Sequence, residues 1–246
     1  MRTRTIAMIG IVLTFSLLTG KYEAAGAQES GPAQMQQEAI GQTPPRLSFI
    51  EGEVSFWRPG AEEWTQAQIN TPLAPGDQLY TGTPGKLELQ VGARAFVRAS
   101  ENTFLNLDNQ EPDFLQFRVT SGVAAFDLRT VDPGRTVEVD TPHASFIIEH
   151  EGYYRVNVNE DYTSFITRRS GEATARLIDG EAIYIKPGEH LVVEGTENPR
   201  ITAVVAPELD RWDKWNYDRT DRVLEAANSR YVSQDIYGLA DLDQAG

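Results

Sequence analysis

Two segments of this chain place an acidic residue directly after a Pro-Gly pair and two residues before a leucine. They are LAPGDQL, residues 73–79, and IKPGEHL, residues 185–191. Their acids, Asp77 and Glu189, could act together as the paired carboxylates of a glycosidase. The alternative is one turn used twice, because Pro presets the first central angle of a type II turn and Gly supplies the positive second angle. The chain has five Pro-Gly pairs and 36 acidic residues, so we favour the turn, with the Asp77 side chain bonding nearby backbone N–H groups.

The other residues that could serve in catalysis or metal binding do not have the spacing that known catalytic and metal sites require. The three histidines, His143, His150 and His190, form no HExxH pair, and there is no cysteine to serve as a thiolate ligand or nucleophile. The segment VDTPHAS has Pro142 where an aspartic protease needs glycine, and no Gly-x-Ser-x-Gly elbow occurs. We therefore expect no enzyme, no metal site and no cofactor. A hydrolase of envelope glycans, using carboxylates that carry no local motif, is kept as an alternative.

The first 27 residues have the three parts of a secretory signal peptide in order. Arg2 and Arg4 precede an apolar run over residues 6–18, and Ala25-Gly26-Ala27 supplies the small residues that signal peptidase reads. The pattern predicts cleavage between Ala27 and Gln28, and a periplasmic or secreted protein that is not integral to the membrane after cleavage. Because the chain contains 0 Cys, its stability must come from a packed core rather than from disulfides.

The formal net charge of −14 restricts the partners of this chain. Such a surface repels nucleic acid and anionic lipid headgroups, and it favours solubility and cationic partners. We therefore expect no nucleic-acid partner. The acidic residues are dispersed along the chain, which is typical of a solvated surface.

Between residues 46 and 205 the chain is predicted to form many short strands. Apolar and polar residues alternate at residues 87–91, 115–119, 137–139 and 154–158, and turn signals separate these runs. Asp179-Gly180 predicts a hairpin with a type I′ turn. The fold class expected is mainly β, an antiparallel sandwich or roll or a short β-helix. The expected segments are a signal peptide at 1–27, a disordered spacer at 28–45, a β domain at 46–205, a helical segment at 206–232 and a flexible tail at 233–246.

The segment after Val205 has helical spacing, with Pro207 expected at the first helical position. Trp212 and Trp215 fall on its apolar face, where we expect them to dock the helix on the β domain. Trp57 and Trp64 flank the RPGAEE turn. We favour a pair that closes one end of the core, with a platform for sugar or peptide as the alternative. All four tryptophans are the candidate partner-binding residues.

The order of these strand and turn motifs resembles the periplasmic FecR domain. The family's Trp before an L-x-x-G-D turn, its G-x-L-x-L strand and its V-x-T-P segment are similar to residues 50–67, 71–82, 85–107 and 137–158. The sequence EGYYRV stands where the family usually has Gly-Thr-x-Phe. The resemblance is to exported members, which carry a signal peptide in place of the anti-sigma segment and membrane helix. It implies a FecR-like fold and supplies no catalytic residues.

Together, these features predict an exported, non-enzymatic FecR-like module that binds a protein or another component of the bacterial cell envelope. The resemblance also implies an alternative in the same compartment, a periplasmic signalling adaptor that acts with an outer-membrane receptor.

Overall fold

The computed structural model describes residues 43–228, so the signal peptide, its cleavage site at Ala27 and Gln28, most of the spacer and the tail lie outside the described residues. The described chain forms strands and one C-terminal helix, as the sequence predicts. The elements are β1 Arg46–Trp57, β2 Thr65–Gln66, β3 Gln78–Gln90, β4 Ala95–Ala99, β5 Thr103–Gln110, β6 Phe114–Leu128, β7 Thr136–Asp140, β8 Ala144–Ile148, β9 Gly152–Val158, β10 Tyr162–Arg168, β11 Ala173–Leu177, β12 Ala182–Ile185, β13 Glu189–Glu194, β14 Arg200–Val205 and α1 Arg211–Asn228.

The two longest strands, β3 and β6, each change partners halfway along their length. The first part of β3 pairs with β5 and its second part with β4. The first part of β6 pairs with β5 and, in parallel, with β7, whereas its second part pairs with β4 and β9. The bend in β6 falls at Gly122, whose φ is +88° and where an added Cβ would lie 2.4 Å from Thr103 Oγ1. Glycine is required there for both reasons.

These bends fold the sheet over on itself, so that it forms two layers. Phe117 and Phe126 lie on the two parts of β6, yet their ring centroids are 5.7 Å apart. Phe146 on β8 stacks on Phe165 of β10, with centroids separated by 4.1 Å. The first layer contains β5, β7, β8, β11 and β12, and the second contains β4, β9, β10, β13 and β14. The prediction of a sandwich or roll is therefore confirmed, and the short β-helix is wrong.

The core between the layers consists of the apolar residues that alternate along the strands. Leu87, Leu89, Phe117, Val139 and Val156 all belong to one buried cluster. Burial of alternate residues on one face is what the period of two requires of a half-buried strand. The period-two prediction is confirmed for these strands.

Four of the five Pro-Gly pairs form the turns expected from the sequence. Gly60, Gly76, Gly134 and Gly188 have positive φ, and in each case the following residue donates its N–H to the carbonyl three positions earlier. The turn predicted at Pro84-Gly85 is wrong, because this pair lies within β3. The peptide bond before Pro84 is cis, and φ of Gly85 is not positive.

The hairpin predicted at Asp179-Gly180 joins β11 to β12, but its turn type differs. A type I′ turn needs a positive φ at both central residues, and only Gly180 has one. Gly180 N–H bonds to Leu177 O, and Leu177 N–H bonds to Glu181 O. The loop is therefore a three-residue connection with Gly in the left-handed region.

The helix begins at Arg211, four residues after Pro207, so the expected first helical position is wrong. Asp210 caps it instead, because its Oδ1 accepts the N–H of Asp213 at 2.9 Å while Asp213 Oδ2 accepts the N–H of Asp210 at 3.4 Å. This reciprocal pair is a capping box, which stabilises the first turn. Within residues 43–228, no helix has the length and apolar content needed to cross a membrane.

The helix lies on the outer surface of the second layer and buries polar rather than apolar residues there. Asp213, Asn216 and Thr220 are its buried positions, whereas Trp212 and Trp215 are only partly buried. Beneath them the sheet presents Glu88, Arg98 and other charged side chains. The expected apolar docking face is therefore corrected: the surface between helix and sheet is mainly ionic and aromatic.

Candidate functional site

Aromatic side chains gather on the outer surface of the first layer, opposite to the side that carries the helix. Tyr80 on β3 and Phe104 on β5 are directly paired, with ring centroids 4.5 Å apart. Trp64 covers Phe104 edge-on at 6.0 Å. Trp57 pairs with Gln78 of β3 and so shares this face. We call Trp57, Trp64, Tyr80 and Phe104 the aromatic face.

The alternation of the strands explains why these rings point outward. Leu79 and Leu105 are in the core, so their neighbours Tyr80 and Phe104 must face away from it. Trp57 follows Phe56, which packs against the core, and the Trp57 Nε1–H bonds to Ala61 O at 3.0 Å. That bond holds the indole against the RPGAEE turn, and Trp64 directly follows this turn.

The exposure of Trp64 corrects the expectation that a tryptophan pair closes one end of the core. Trp64 is 42 % exposed, and neither Trp57 nor Trp64 belongs to the buried cluster. Aromatic residues that are exposed to solvent on one side are enriched at protein interfaces, where they supply large contact areas. The position of these two side chains fits the platform alternative.

The other two tryptophans lie at the contact between helix and sheet. Trp215 packs on Phe49 at 5.9 Å and stacks on Trp212 at 5.0 Å with an angle of 15° between the rings. The cations of Lys86 and Arg98 lie 5.4 and 5.8 Å from the Trp215 ring centroid. Trp215 thus docks the helix, as expected, with Trp212 stacked beside it.

Ion pairs fix the helix at its start and along its middle. Near its start, Asp213 accepts the hydroxyl of Tyr153 at 2.9 Å and pairs with Arg155 at 3.3 Å. Near its middle, Arg219 donates two hydrogen bonds to the carboxylate of Glu88, from Nε at 2.7 Å and from Nη2 at 2.9 Å. Further along, Asp221 pairs with Arg129 at 2.7 Å. No pattern in the sequence predicts this network, because its members on the strands alternate with core residues and therefore resemble solvent-exposed positions.

The environment of this network shifts several pKa values. Burial alone would raise the pKa of Glu88, but the charges of Arg98 and Arg219 and hydrogen bonds from Arg219 and Ser48 lower it overall. Burial raises the pKa of the Tyr153 hydroxyl well above its usual value, and the charge of Asp213 adds to this shift. Glu88 is therefore held ionised and Tyr153 is held as a hydrogen-bond donor.

The two acids of the repeated turn are both engaged in holding it. Asp77 Oδ2 accepts the N–H of Ala74 at 2.8 Å, and Glu189 Oε2 accepts the N–H of Lys186 at the same distance. Asp77 also forms a bidentate pair with Arg58, with distances of 2.8 and 2.5 Å. The turn interpretation is confirmed, and sequence reasoning missed only the burial of Asp77 and its pairing with Arg58.

The histidines have separate hydrogen-bonding roles. His143 is buried and its Nδ1 lies 3.0 Å from Thr163 Oγ1. His150 Nε2 lies 3.1 Å from a carboxylate oxygen of Glu172. Burial lowers the pKa of His190, and the charges of Arg155 and Arg168 lower it further. Across residues 43–228, no three histidine, aspartate or glutamate side chains are grouped so as to hold a metal ion.

Comparison with known proteins gives a distant likeness of fold. No family model matches the chain, and no curated protein matches it. Two crystal structures of a candidate anti-sigma factor from Parabacteroides distasonis ATCC 8503, at 2.50 and 1.65 Å resolution, are similar to it. Each is 14 % identical with a TM-score of 0.46, and the match covers 52 % of this chain and 59 % of the other. This chain thus spans about three-fifths of the length of that neighbour, and a likeness of this degree carries no conclusion about function.

Proposed function

We propose that this chain is an exported, non-enzymatic binding module that uses the aromatic face to contact a protein or another component of the cell envelope. The observation that carries the proposal is the outward cluster of Trp64, Phe104 and Tyr80, in which Tyr80 and Phe104 lie on paired strands and Trp64, just before β2, packs edge-on against Phe104. A rigid platform loses little conformational entropy when it binds, and Trp and Tyr are the residues that most often dominate binding energy.

The signal-peptide pattern and the FecR-like order of motifs support the choice of compartment. The acidic surface supports solubility and a partner with cationic groups around an apolar centre. Asp77 and Glu189, the candidate glycosidase carboxylates, both stabilise turns by accepting backbone N–H groups. These observations favour a binding role over hydrolysis.

Site-specific photo-crosslinking in intact cells tests the proposal. A photoreactive aromatic amino acid is placed at position 64, and the matched control carries it at position 178. Ile178 is an exposed apolar residue directly after β11, and β6, β7 and β8 separate that strand from β5 of the aromatic face. We expect adducts from position 64 and none from position 178. Adducts at neither site, or equal adducts at both, would contradict the proposal, whereas recovery of an outer-membrane receptor from position 64 would identify a signalling adaptor.

Cell fractionation with N-terminal sequencing tests export separately. We expect a mature protein that begins at Gln28 and is found outside the cytoplasm. An uncleaved chain in the cytoplasm would remove this part of the proposal.

A further inference from the structure

A cavity of about 280 Å³ lies between the two layers at one end of the sandwich. Its wall is formed by aliphatic side chains from both layers and from the loop that follows β6: Val91, Ala95, Leu115, Leu128, Val131 and Val137. None of the four aromatic-face residues lines it. The cavity is therefore a separate site, and an inference about it stands or falls independently of the proposed function.

Two arginines, Arg94 and Arg135, line the same cavity. Arg135 lies 3.6 Å from Asp132, so its charge has a partner. The half-buried side chain of Arg94 makes no ion pair and no hydrogen bond with any other residue in the described range 43–228. The chain has 36 acidic and 22 basic residues, so carboxylate partners are plentiful, and the arginines of the helix contact all have one.

A cation beside an apolar cavity suits a ligand that has both an anionic group and an apolar part. A partly buried guanidinium without a counter-ion loses hydration without recovering it in an ion pair. A planar carboxylate fits the fork of a guanidinium with two parallel hydrogen bonds, and an aliphatic stem gains free energy from leaving water.

We propose that this cavity binds an aliphatic carboxylate, with its hydrocarbon stem between the layers and its carboxylate on Arg94. The volume sets the length of the stem. A protein cavity of about 150 Å³ takes up benzene, so about 280 Å³ has room for roughly ten to eleven non-hydrogen atoms. Octanoate, with eight carbons and two oxygens, is the matching probe.

Isothermal titration calorimetry on the mature chain tests the proposal with three probes. Sodium octanoate carries both the stem and the charge, 1-octanol carries the stem alone, and sodium acetate carries the charge alone. We expect octanoate to bind about tenfold more tightly than octanol, since hydrogen bonds to charged groups are the strong ones, and acetate not to bind. Hexanoate should bind about 15-fold more weakly than octanoate, because each methylene contributes a factor of about four.

Two variants assign the binding to this cavity. Arg94→Gln should reduce the affinity for octanoate about tenfold and leave the affinity for octanol unchanged. Val131→Trp, which adds bulk at a partly buried position in the wall, should abolish the binding of both. Arg200→Gln is the matched control, because Arg200 is 81 % exposed on β14, away from the cavity. Circular dichroism and thermal unfolding of each variant confirm that it is folded.

The proposal is overturned if the wild-type chain does not bind octanoate, or if octanoate and octanol bind equally well. It is also overturned if folded Arg94→Gln binds octanoate as the wild type does, or if folded Val131→Trp still binds it. Loss of binding in Arg200→Gln would likewise overturn it, since that loss would place the carboxylate elsewhere.

Discussion

The guanidinium of Arg98 lies directly opposite the carboxylate of Glu88 on the neighbouring strand, with Nε 2.6 Å from Oε2. Both side chains are buried, at 0 % and 1 % exposure, on the surface of the sheet that faces away from the apolar core. Arg219 of the helix completes the pair by donating two hydrogen bonds to the same carboxylate. The contact between helix and sheet is thus organised around one carboxylate and two arginines.

Replacing Glu88 by glutamine should lower the free energy of unfolding by about 3–5 kcal/mol, because the buried Arg98 loses its hydrogen-bonded carboxylate and is left with that of Asp127, 3.9 Å away. Urea unfolding measures the change. Glu51→Gln is the matched control, since Glu51 pairs with Lys86 at 2.9 Å on the surface with 53 % exposure and should cost about 1 kcal/mol or less. Equal losses in the two variants would contradict an organising role for Glu88.

Acid should lower the free energy of unfolding in two stages. Burial and nearby arginines lower the pKa of His190 below 6.5, so the unfolded chain takes up this proton first, and stability is lost as pH falls below about 6.5. The pKa of Glu88 lies below 4.5 in the folded state, so its contribution is complete above pH 4.5 and is lost as pH falls through the folded value. Asp210, whose pKa is also lowered, acts in the same direction.

Urea unfolding over a pH series checks both stages. His190→Gln should remove the slope that begins as pH falls below about 6.5 and leave the acidic stage unchanged. Burial and the charge of Asp140 raise the pKa of Glu138, so that residue opposes the acidic stage, and Glu138→Gln should steepen it. An unchanged slope in His190→Gln would show that another group is responsible for the first stage.

Asp77→Asn should cost about 1–3 kcal/mol, because a neutral amide replaces a buried carboxylate that is bound to Arg58 and to the N–H of Ala74. The sequence predicts only the bonds to backbone N–H groups, so the pairing with Arg58 adds to the cost expected from the turn alone. Glu189→Gln in the matched turn is the control, and it should cost less because Glu189 is only partly buried. Thermal unfolding compares the two, and a larger loss in Glu189→Gln would be inconsistent with this account.

Gly76→Val should be more damaging than Gly134→Val, although both glycines follow a proline and have positive φ. An added Cβ at Gly76 would lie 2.7 Å from Pro59 Cγ, whereas at Gly134 it meets nothing within 4 Å. Both variants carry the backbone penalty of about 1–2 kcal/mol, and only the first adds a clash. Denaturant midpoints measure the difference, and equal midpoints would mean that Pro59 moves aside at no cost.

Local signals predicted local structure in this chain. Alternation identified the core residues of β3, β6 and β9, and the Pro-Gly pairs identified four turns, because each depends on a few neighbouring residues. The turn at Asp179-Gly180 was predicted as a hairpin with the wrong type, since dipeptide preference does not decide which residues take positive φ.

Long-range packing is what the sequence did not reveal. Glu88 and Arg98 alternate with core residues, so their side of the sheet looked solvated, and only the docking of a helix more than 110 residues away buries it. Tyr80 and Phe104 are 24 residues apart in sequence and lie side by side only because β3 pairs with β5. No sequence motif predicts that pairing. The tryptophans were found from sequence as candidates, but their separation into a helix contact and an outward face required the fold.

The charged character of the surface beneath the helix has a consequence for the order of folding. Because that surface is rich in arginines and carboxylates, it is well hydrated until the helix docks, and the strands can close their core first. The helix is the last described element to be synthesised, and domains commonly fold from the N-terminal side during synthesis. Such a chain does not expose a large apolar surface before its last described segment docks, and this lowers its tendency to aggregate during folding.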